Sequence, residues 1–338
     1  SGESFGLDIG GLGEKLISGL FGSTKKKVTD SGIRFISQSL GDILEGGILE
    51  ADQFFDVEKT KKKLFGLSKK VSTSTEFQAL DNSFGEGIGA VFKNIGDVVL
   101  QSASLLGFET VTMITGEFAR IDFSDGDFSG FRDGIFRGFE MITTETEVGL
   151  EEALSKFQIN IGKVSLEGLS AQEVEAELQA IFSKQADLIA EFLVPSIAEY
   201  QKIGEGLFDT LTRVTKEQAV FNSSIARMGF DLTDLSNVMQ IDVAQSIIGL
   251  TGGLENFSDL TSSFFENFFS EAEQFSFLED SLTDSFDSLG LSMVTSREGF
   301  KALVEGIDIT TEEGQSLLAS LLAISPAMSD YVDELERV

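Results

Sequence analysis

Polar and hydrophobic positions follow two periods along the chain. Near the amino terminus, Val28-Thr29-Asp30-Ser31-Gly32-Ile33-Arg34-Phe35-Ile36 is a β-branched, alternating run after a Gly-rich start and a lysine cluster, and it reads as strand and turn. Asn82 to Leu106 changes to helical spacing, with Phe84, Ile88, Val91, Phe92, Ile95, Val99 and Leu100 on one side. Gly85, Gly87, Gly89 and Gly96 weaken that helix by about 1 kcal/mol each relative to Ala, so close packing has to supply its stability. Phe108 to Phe123 reads as extended chain turning through Gly116, followed by a Phe/Gly/Asp segment from Asp122 to Phe139. Residues 157–169 alternate as a strand does.

Helical period dominates from there. Ser170-Ala171-Gln172-Glu173 is a capping box, and Val174, Leu178, Ile181, Phe182, Ile189, Phe192 and Leu193 follow it. Pro195 ends or kinks this helix. A second helical pattern covers Ser196 to Met228, with Ile197, Tyr200, Ile203, Leu207, Leu211 and Val214 on one face. From Glu255 onward, Phe257, Phe264, Phe265, Phe268, Phe269, Phe275 and Phe277 read as a core-facing stripe. Capping boxes at Thr295-Ser296-Arg297-Glu298 and Thr310-Thr311-Glu312-Glu313 predict two short helices. The expected fold class is α+β. A β-hairpin-rich, lysine-clustered region (1–80) precedes a mixed, mainly helical domain (81–254) and an acidic all-helical module (255–338).

A short repeat relates Leu20 to Thr29 with Leu64 to Ser72, with one deletion, and predicts two equivalent hairpin strands that pair with each other. Lysine-rich turns that resemble one another by chance would read the same way.

Charge sharpens the division. The chain of 338 residues has 56 acidic against 25 basic residues, a formal net charge of −31. Residues 1–75 hold 11 Lys/Arg and 10 Asp/Glu, so the whole of the imbalance lies beyond them. Such a surface repels nucleic-acid phosphates and argues against sequence-specific nucleic-acid binding. His, Cys and Trp are absent. Their absence removes imidazole general bases, Ser-His-Asp and Cys-His nucleophiles, the usual zinc ligands, disulfides and thiol redox chemistry. The chain reads as non-catalytic, with no cofactor expected. The longest uncharged run, Gly314 to Ser329, is sixteen residues interrupted by Pro326, short of the roughly 20 a spanning helix needs.

The remaining candidates are weak. Gly6 to Gly13 and Gly85-Glu86-Gly87-Ile88-Gly89 lack the spacing of a phosphate loop. Asp122, Asp125 and Asp127 surround Gly126 in the manner of a calcium loop, but Ile121 and Phe123 occupy ligand positions. Glu151-Glu152 and Glu312-Glu313 are paired carboxylates that nothing sets apart from the other acidic residues. The lysine clusters remain: Lys25, Lys26, Lys27, Lys61, Lys62, Lys63, Lys69 and Lys70 are the candidate partner contacts. A solvated strand edge, kept from aggregating by lysine, explains the same residues without a partner.

Four sets of segments stand together: Leu20-Phe21-Gly22-Ser23-Thr24-Lys25-Lys26-Lys27-Val28-Thr29-Asp30-Ser31-Gly32; Thr60-Lys61-Lys62-Lys63-Leu64-Phe65-Gly66-Leu67; Val164 to Ser170 with Gly204 to Leu211; and Thr295 to Val304 with Thr310 to Gln315. Jointly they resemble the portion toward the carboxy terminus of tail tape-measure proteins of long-tailed bacteriophages. They span nearly the whole chain, and complete members of the family are much longer, so the resemblance implies a fragment or mature piece.

The resemblance further implies a virion component in the tail lumen or tip, present in the host cytoplasm during assembly. It would help set tail length and leave ahead of the DNA at ejection, with tail-tube and tail-tip proteins as partners and a homo-oligomer, a trimer, as its state. A wholly helical chain of this length would span only about 500 Å, which places this segment near a tail end. The alternative is a membrane-active segment in transient contact with the host envelope, aiding DNA passage.

Overall fold

In the computed structural model, which describes residues 27–63, 68–118 and 141–337, the architecture is α+β. The strands are β1 (Lys27–Phe35), β2 (Gln38–Ser39), β3 (Ala51–Lys63), β4 (Ser68–Ala79), β5 (Thr110–Phe118), β6 (Met141–Gly149), β7 (Gln158–Ile159) and β8 (Lys163–Ser165). The helices in the first half are α1 (Leu40–Gly46), α2 (Asn82–Leu105), α3 (Leu150–Lys156) and α4 (Ala171–Leu193). After them come α5 (Leu207–Arg227), α6 (Asn237–Leu250), α7 (Leu254–Phe268), α8 (Glu271–Ser288), α9 (Arg297–Glu305) and α10 (Glu312–Arg337). The chain divides into two compact units, Ser1–Ala219 with Leu235–Gln245, and Val220–Asp234 with Ser246–Val338. Sheet and helices of the first unit share one core.

In the first unit, an antiparallel sheet of order β4-β3-β1-β8 places Ile33 and Phe35 toward helices α2 and α4. Phe182 of α4 meets both Phe35 (6.3 Å, edge-on) and Phe92 of α2 (5.7 Å, edge-on). Asp81 caps α2, its side chain accepting from the Ser83 N–H at 2.8 Å. The glycines of α2 serve the close approach expected of them: a Cβ on Gly89 would lie 2.2 Å from the Gly47 carbonyl oxygen. The capping box of α4 forms as read, Ser170 and Glu173 bonding each other's backbone N–H. Helix α4 stops at Leu193, ahead of Pro195.

Several expectations are corrected. Gly116 makes no turn; it lies within β5, paired with Thr143 of β6. Residues 157–169 form two short strands separated at Gly162, whose φ of 78° interrupts the extended run. The helix expected over 196–228 is a 3-10 turn (Pro195–Tyr200), a loop and α5, and Ile203 in that loop is fully exposed. The described parts of the repeat, 27–29 and 68–72, do not pair with each other. They flank β3 from opposite sides. The rest of the repeat, Gly6 to Gly13 and the segment from Asp122 to Phe139 with its Asp122, Asp125 and Asp127 lie outside the described residues.

The second unit is all-helical. Leu282 and Phe286 of α8 pack with Leu321, Met328, Tyr331 and Val332 of α10, and Phe275 stacks on Tyr331 at 5.3 Å. Both expected capping boxes shift by one residue. Ser296, not Thr295, caps α9 by accepting from the Gly299 N–H at 3.1 Å, leaving Glu298 one position short of the box. Asp308 engages the backbone and hydroxyl of Thr310, so Thr311 caps α10 through the Gly314 N–H at 3.0 Å. Helix α10 is long rather than short and runs through Pro326. The aromatic stripe is only partly core-facing: Phe257 is buried, whereas Phe264 and Phe268 are exposed.

Candidate functional site

Strand register brings the candidate lysines together. Among the described residues β1 accompanies β3 only as far as Glu58, opposite Lys27, whereas β4 accompanies β3 from Asp52 to Lys63. Residues 59–63 and 68–72 therefore make a two-stranded arm about 17 Å long. Register sets Lys61 opposite Lys70 and Lys62 opposite Lys69. Like charges at directly opposed positions disfavour pairing, and an anionic partner relieves that cost. Lys63 sits opposite Ser68 at the end of the arm.

Lys27 is not part of this group. It is an exposed cross-strand partner of Glu58, 3.5 Å away. Lys25 and Lys26 lie outside the described residues. At the base of the arm Lys59 meets Glu76 at 3.3 Å, and the side chains of Lys61, Lys62, Lys63, Lys69 and Lys70 lie outside the described residues.

The sheet face turned away from the core carries basic residues that sequence reading missed. Arg34 on β1 holds Asp52 and lies 3.8 Å over the Phe77 ring, and Lys163 on β8 lies 4.5 Å over the Phe54 ring. Lys163 also reaches Asp56 at 3.5 Å. Each cation has a carboxylate and a ring, so this face is a mixed surface beside the arm. No local signal links Arg34 to Lys163, because only the β1–β8 register makes them neighbours.

The most enclosed polar cluster surrounds Arg213 of α5. Nε and Nη2 bond Glu205 at 2.8 and 3.0 Å, Nη1 bonds Glu217 at 2.8 Å and Gln245 at 3.3 Å, and Nη2 also bonds the Tyr200 carbonyl at 2.6 Å. These contacts occupy every N–H of the guanidinium. Tyr200 donates to Asp242 at 2.8 Å, and burial, that hydrogen bond and the Asp242 charge push its phenol well above its ordinary value. Lys202, whose side chain is 59% exposed, reaches the rim of the cluster 3.5 Å from Glu217. The cluster holds the loop between Tyr200 and Gly206 against α5 and α6.

Of the paired carboxylates, the side chain of Glu312 lies outside the described residues. Glu151 and Glu152 lie in the exposed first turn of α3, where Glu152 pairs with Lys156 at 2.5 Å. Glu313 is exposed at the start of α10. No group of acidic side chains among the described residues is arranged to hold a metal ion. The chain matches no protein-family profile, no curated protein and no solved structure.

Proposed function

We propose that this chain is a non-enzymatic structural segment of a phage tail, a fragment of the tape measure near the tail tip. The observation that carries the reading is the lysine-bearing arm of β3 and β4. Within a chain of net charge −31 it gathers Lys61, Lys62, Lys63, Lys69 and Lys70. An acidic body avoids adhesion to the departing genome, while a basic arm docks onto an acidic patch of a tail-tube or tail-tip protein. A trimer would present three such arms about one axis, matching a symmetric tip. The segment would accompany the other tail proteins from assembly in the host cytoplasm to the virion and leave ahead of the DNA.

The test is direct. Antibodies raised against the purified chain should label one end of intact tails in micrographs. Deletions in the full-length protein that contains this segment should change tail length. Unlabelled tails whose length ignores such deletions would overturn the proposal. Among the described residues no helix is long and apolar enough to cross a membrane. The membrane-active alternative therefore stands on exposed aromatic side chains alone, and dye leakage from vesicles is its measurement.

A further inference from the structure

We infer that the exposed end of α7, with the aromatic groove beside it, is a docking surface for a basic amphipathic helix of a partner protein. The inference does not rest on the tail reading. It starts from one face of α7, along which Phe257, Leu260, Phe264 and Phe268 fall at helical spacing. At the amino-terminal end that face is covered: Phe257 is buried and stacks on Phe221 at 5.5 Å. Toward the other end the cover stops. Leu260, Phe264 and Phe268, each four residues from the next, are 52%, 42% and 75% exposed.

Single exposed apolar side chains are ordinary, but a continuous row is not. Here the row joins a ring cluster. Phe264 stacks on Phe268 at 5.0 Å, Phe265 meets Phe269 at 4.9 Å, and Phe265 meets Phe277 of α8 at 5.5 Å. Phe265 and Phe277 continue into a groove of about 430 Å³ whose apolar lining is completed by Phe275, Leu278 and Ala327. Its two arginines are engaged, Arg227 over the Phe265 ring at 5.7 Å and Arg337 with Glu334 at 2.8 Å. Glu271 and Asp330 on the groove wall have no ion-pair partner among the described residues.

Charge decides what covers the row. Residues 254–288 include nine acidic residues and no Lys or Arg. A second copy presenting the same face would set carboxylates against carboxylates, and an anionic bilayer would be repelled for the same reason. A helix with apolar residues at spacings of three and four, flanked by Lys or Arg, satisfies both the stripe and the charge. The uncovered row from Leu260 to Phe268 is about 12 Å long, so two to three turns of such a helix suffice to cover it.

The chain contains no Trp, so a Trp-bearing probe reports without background. A synthetic Leu/Lys amphipathic helix of about 18 residues, titrated with the full chain, should show a blue-shifted indole and rising anisotropy, weakened by salt. A scrambled peptide of equal charge, lacking the apolar stripe, should bind at least about tenfold more weakly, and so should the wild-type peptide to a Phe264→Ser/Phe268→Ser variant. If that variant unfolds, Phe268→Ser alone, at the most exposed position, makes the same comparison.

Equal binding of the scramble would reduce the effect to bulk charge and overturn the inference. Undiminished binding by the variants would do the same. Self-association abolished by the substitutions would assign the face to a second copy, and tighter binding to anionic or neutral vesicles than to the peptide would assign it to lipid. Either result overturns the inference.

Discussion

Phe54 lies directly opposite Gly32 across β3 and β1, and its ring fills the space a side chain on Gly32 would need. A Cβ at Gly32 would sit 2.9 Å from that ring and 1.9 Å from the Val164 carbonyl oxygen of β8. Phe54 is only 1% exposed although it faces away from the core, because Gly32 beneath and Lys163 above enclose it. Gly32→Ala should therefore displace β8 and cost about 1–3 kcal/mol in urea denaturation. Gly46→Ala is the control. A Cβ there meets nothing within 4 Å, and the helical position should gain up to about 1 kcal/mol.

Arg213→Met should be the most damaging single change in the first unit. It leaves Glu205 and Glu217 in a mostly enclosed site without their cation, a loss of about 3–5 kcal/mol by denaturant titration. Burial pushes the Glu205 carboxyl upward, but hydrogen bonds from Arg213, the Lys202 backbone N–H and Thr210, with the Arg213 charge, outweigh it and hold the group below its usual value. A depressed carboxyl stabilises above its unfolded pKa, and that contribution is lost as pH falls through its folded value. The melting temperature of the wild type should thus fall off below about pH 4. Arg213→Met should show a shallower acid dependence over the same window.

Asp209 behaves in the opposite sense. Burial, then the charges of Asp187 and Glu205, raise its carboxyl above the usual range despite a hydrogen bond from the Gly206 N–H. A raised carboxyl is unfavourable while ionised, and the penalty disappears as pH falls through its folded pKa. Asp209→Asn should raise the melting temperature at pH near 7 and lose that advantage on acidification. An advantage that persists unchanged in acid would show that the substitution acts through packing.

These sites differ in how far they were legible. Ser170 and Glu173 could be read because a capping box is local and needs nothing outside four residues. The same pattern at Ser270 and Glu273 starts α8, directly after a phenylalanine run whose helical spacing hides the boundary. Helical period alone does not distinguish Phe257, buried against Phe221, from Phe268, which is exposed. Cover is a tertiary property. The Arg213 cluster gathers side chains from a loop, α5 and α6, and the opposition of Lys61 to Lys70 needs the strand register. No spacing in the sequence encodes either.

That register makes the arm testable apart from any partner. Lys62→Glu replaces one opposed like-charge pair with an attractive one, the new carboxylate facing Lys69, worth about 0.2–1 kcal/mol to the arm. Amide exchange in residues 59–63 and 68–72 should slow, while the melting temperature, set by cores elsewhere, stays within a degree or so. The same substitution should weaken capture of acidic tail proteins. Faster exchange in the arm would contradict the register.

Pro326 in α10 removes the N–H that would bond the Leu322 carbonyl, and the Ser325 hydroxyl replaces it, donating to that carbonyl at 2.8 Å. The serine thus compensates the proline within the helix that carries Leu321, Met328 and Tyr331 into the second core. Pro326→Ala should stabilise the unit, since the interior proline costs a helix about 3 kcal/mol before compensation. Ser325→Ala should destabilise by about 0.5–1.5 kcal/mol in the presence of Pro326, because the carbonyl loses its remaining intrahelical donor. In the Pro326→Ala background the backbone N–H returns, and Ser325→Ala should become nearly neutral. The double-mutant cycle therefore predicts a coupling of about 0.5–1.5 kcal/mol between adjacent residues. A Ser325→Ala effect of the same size in both backgrounds would show that the hydroxyl does not substitute for the missing donor.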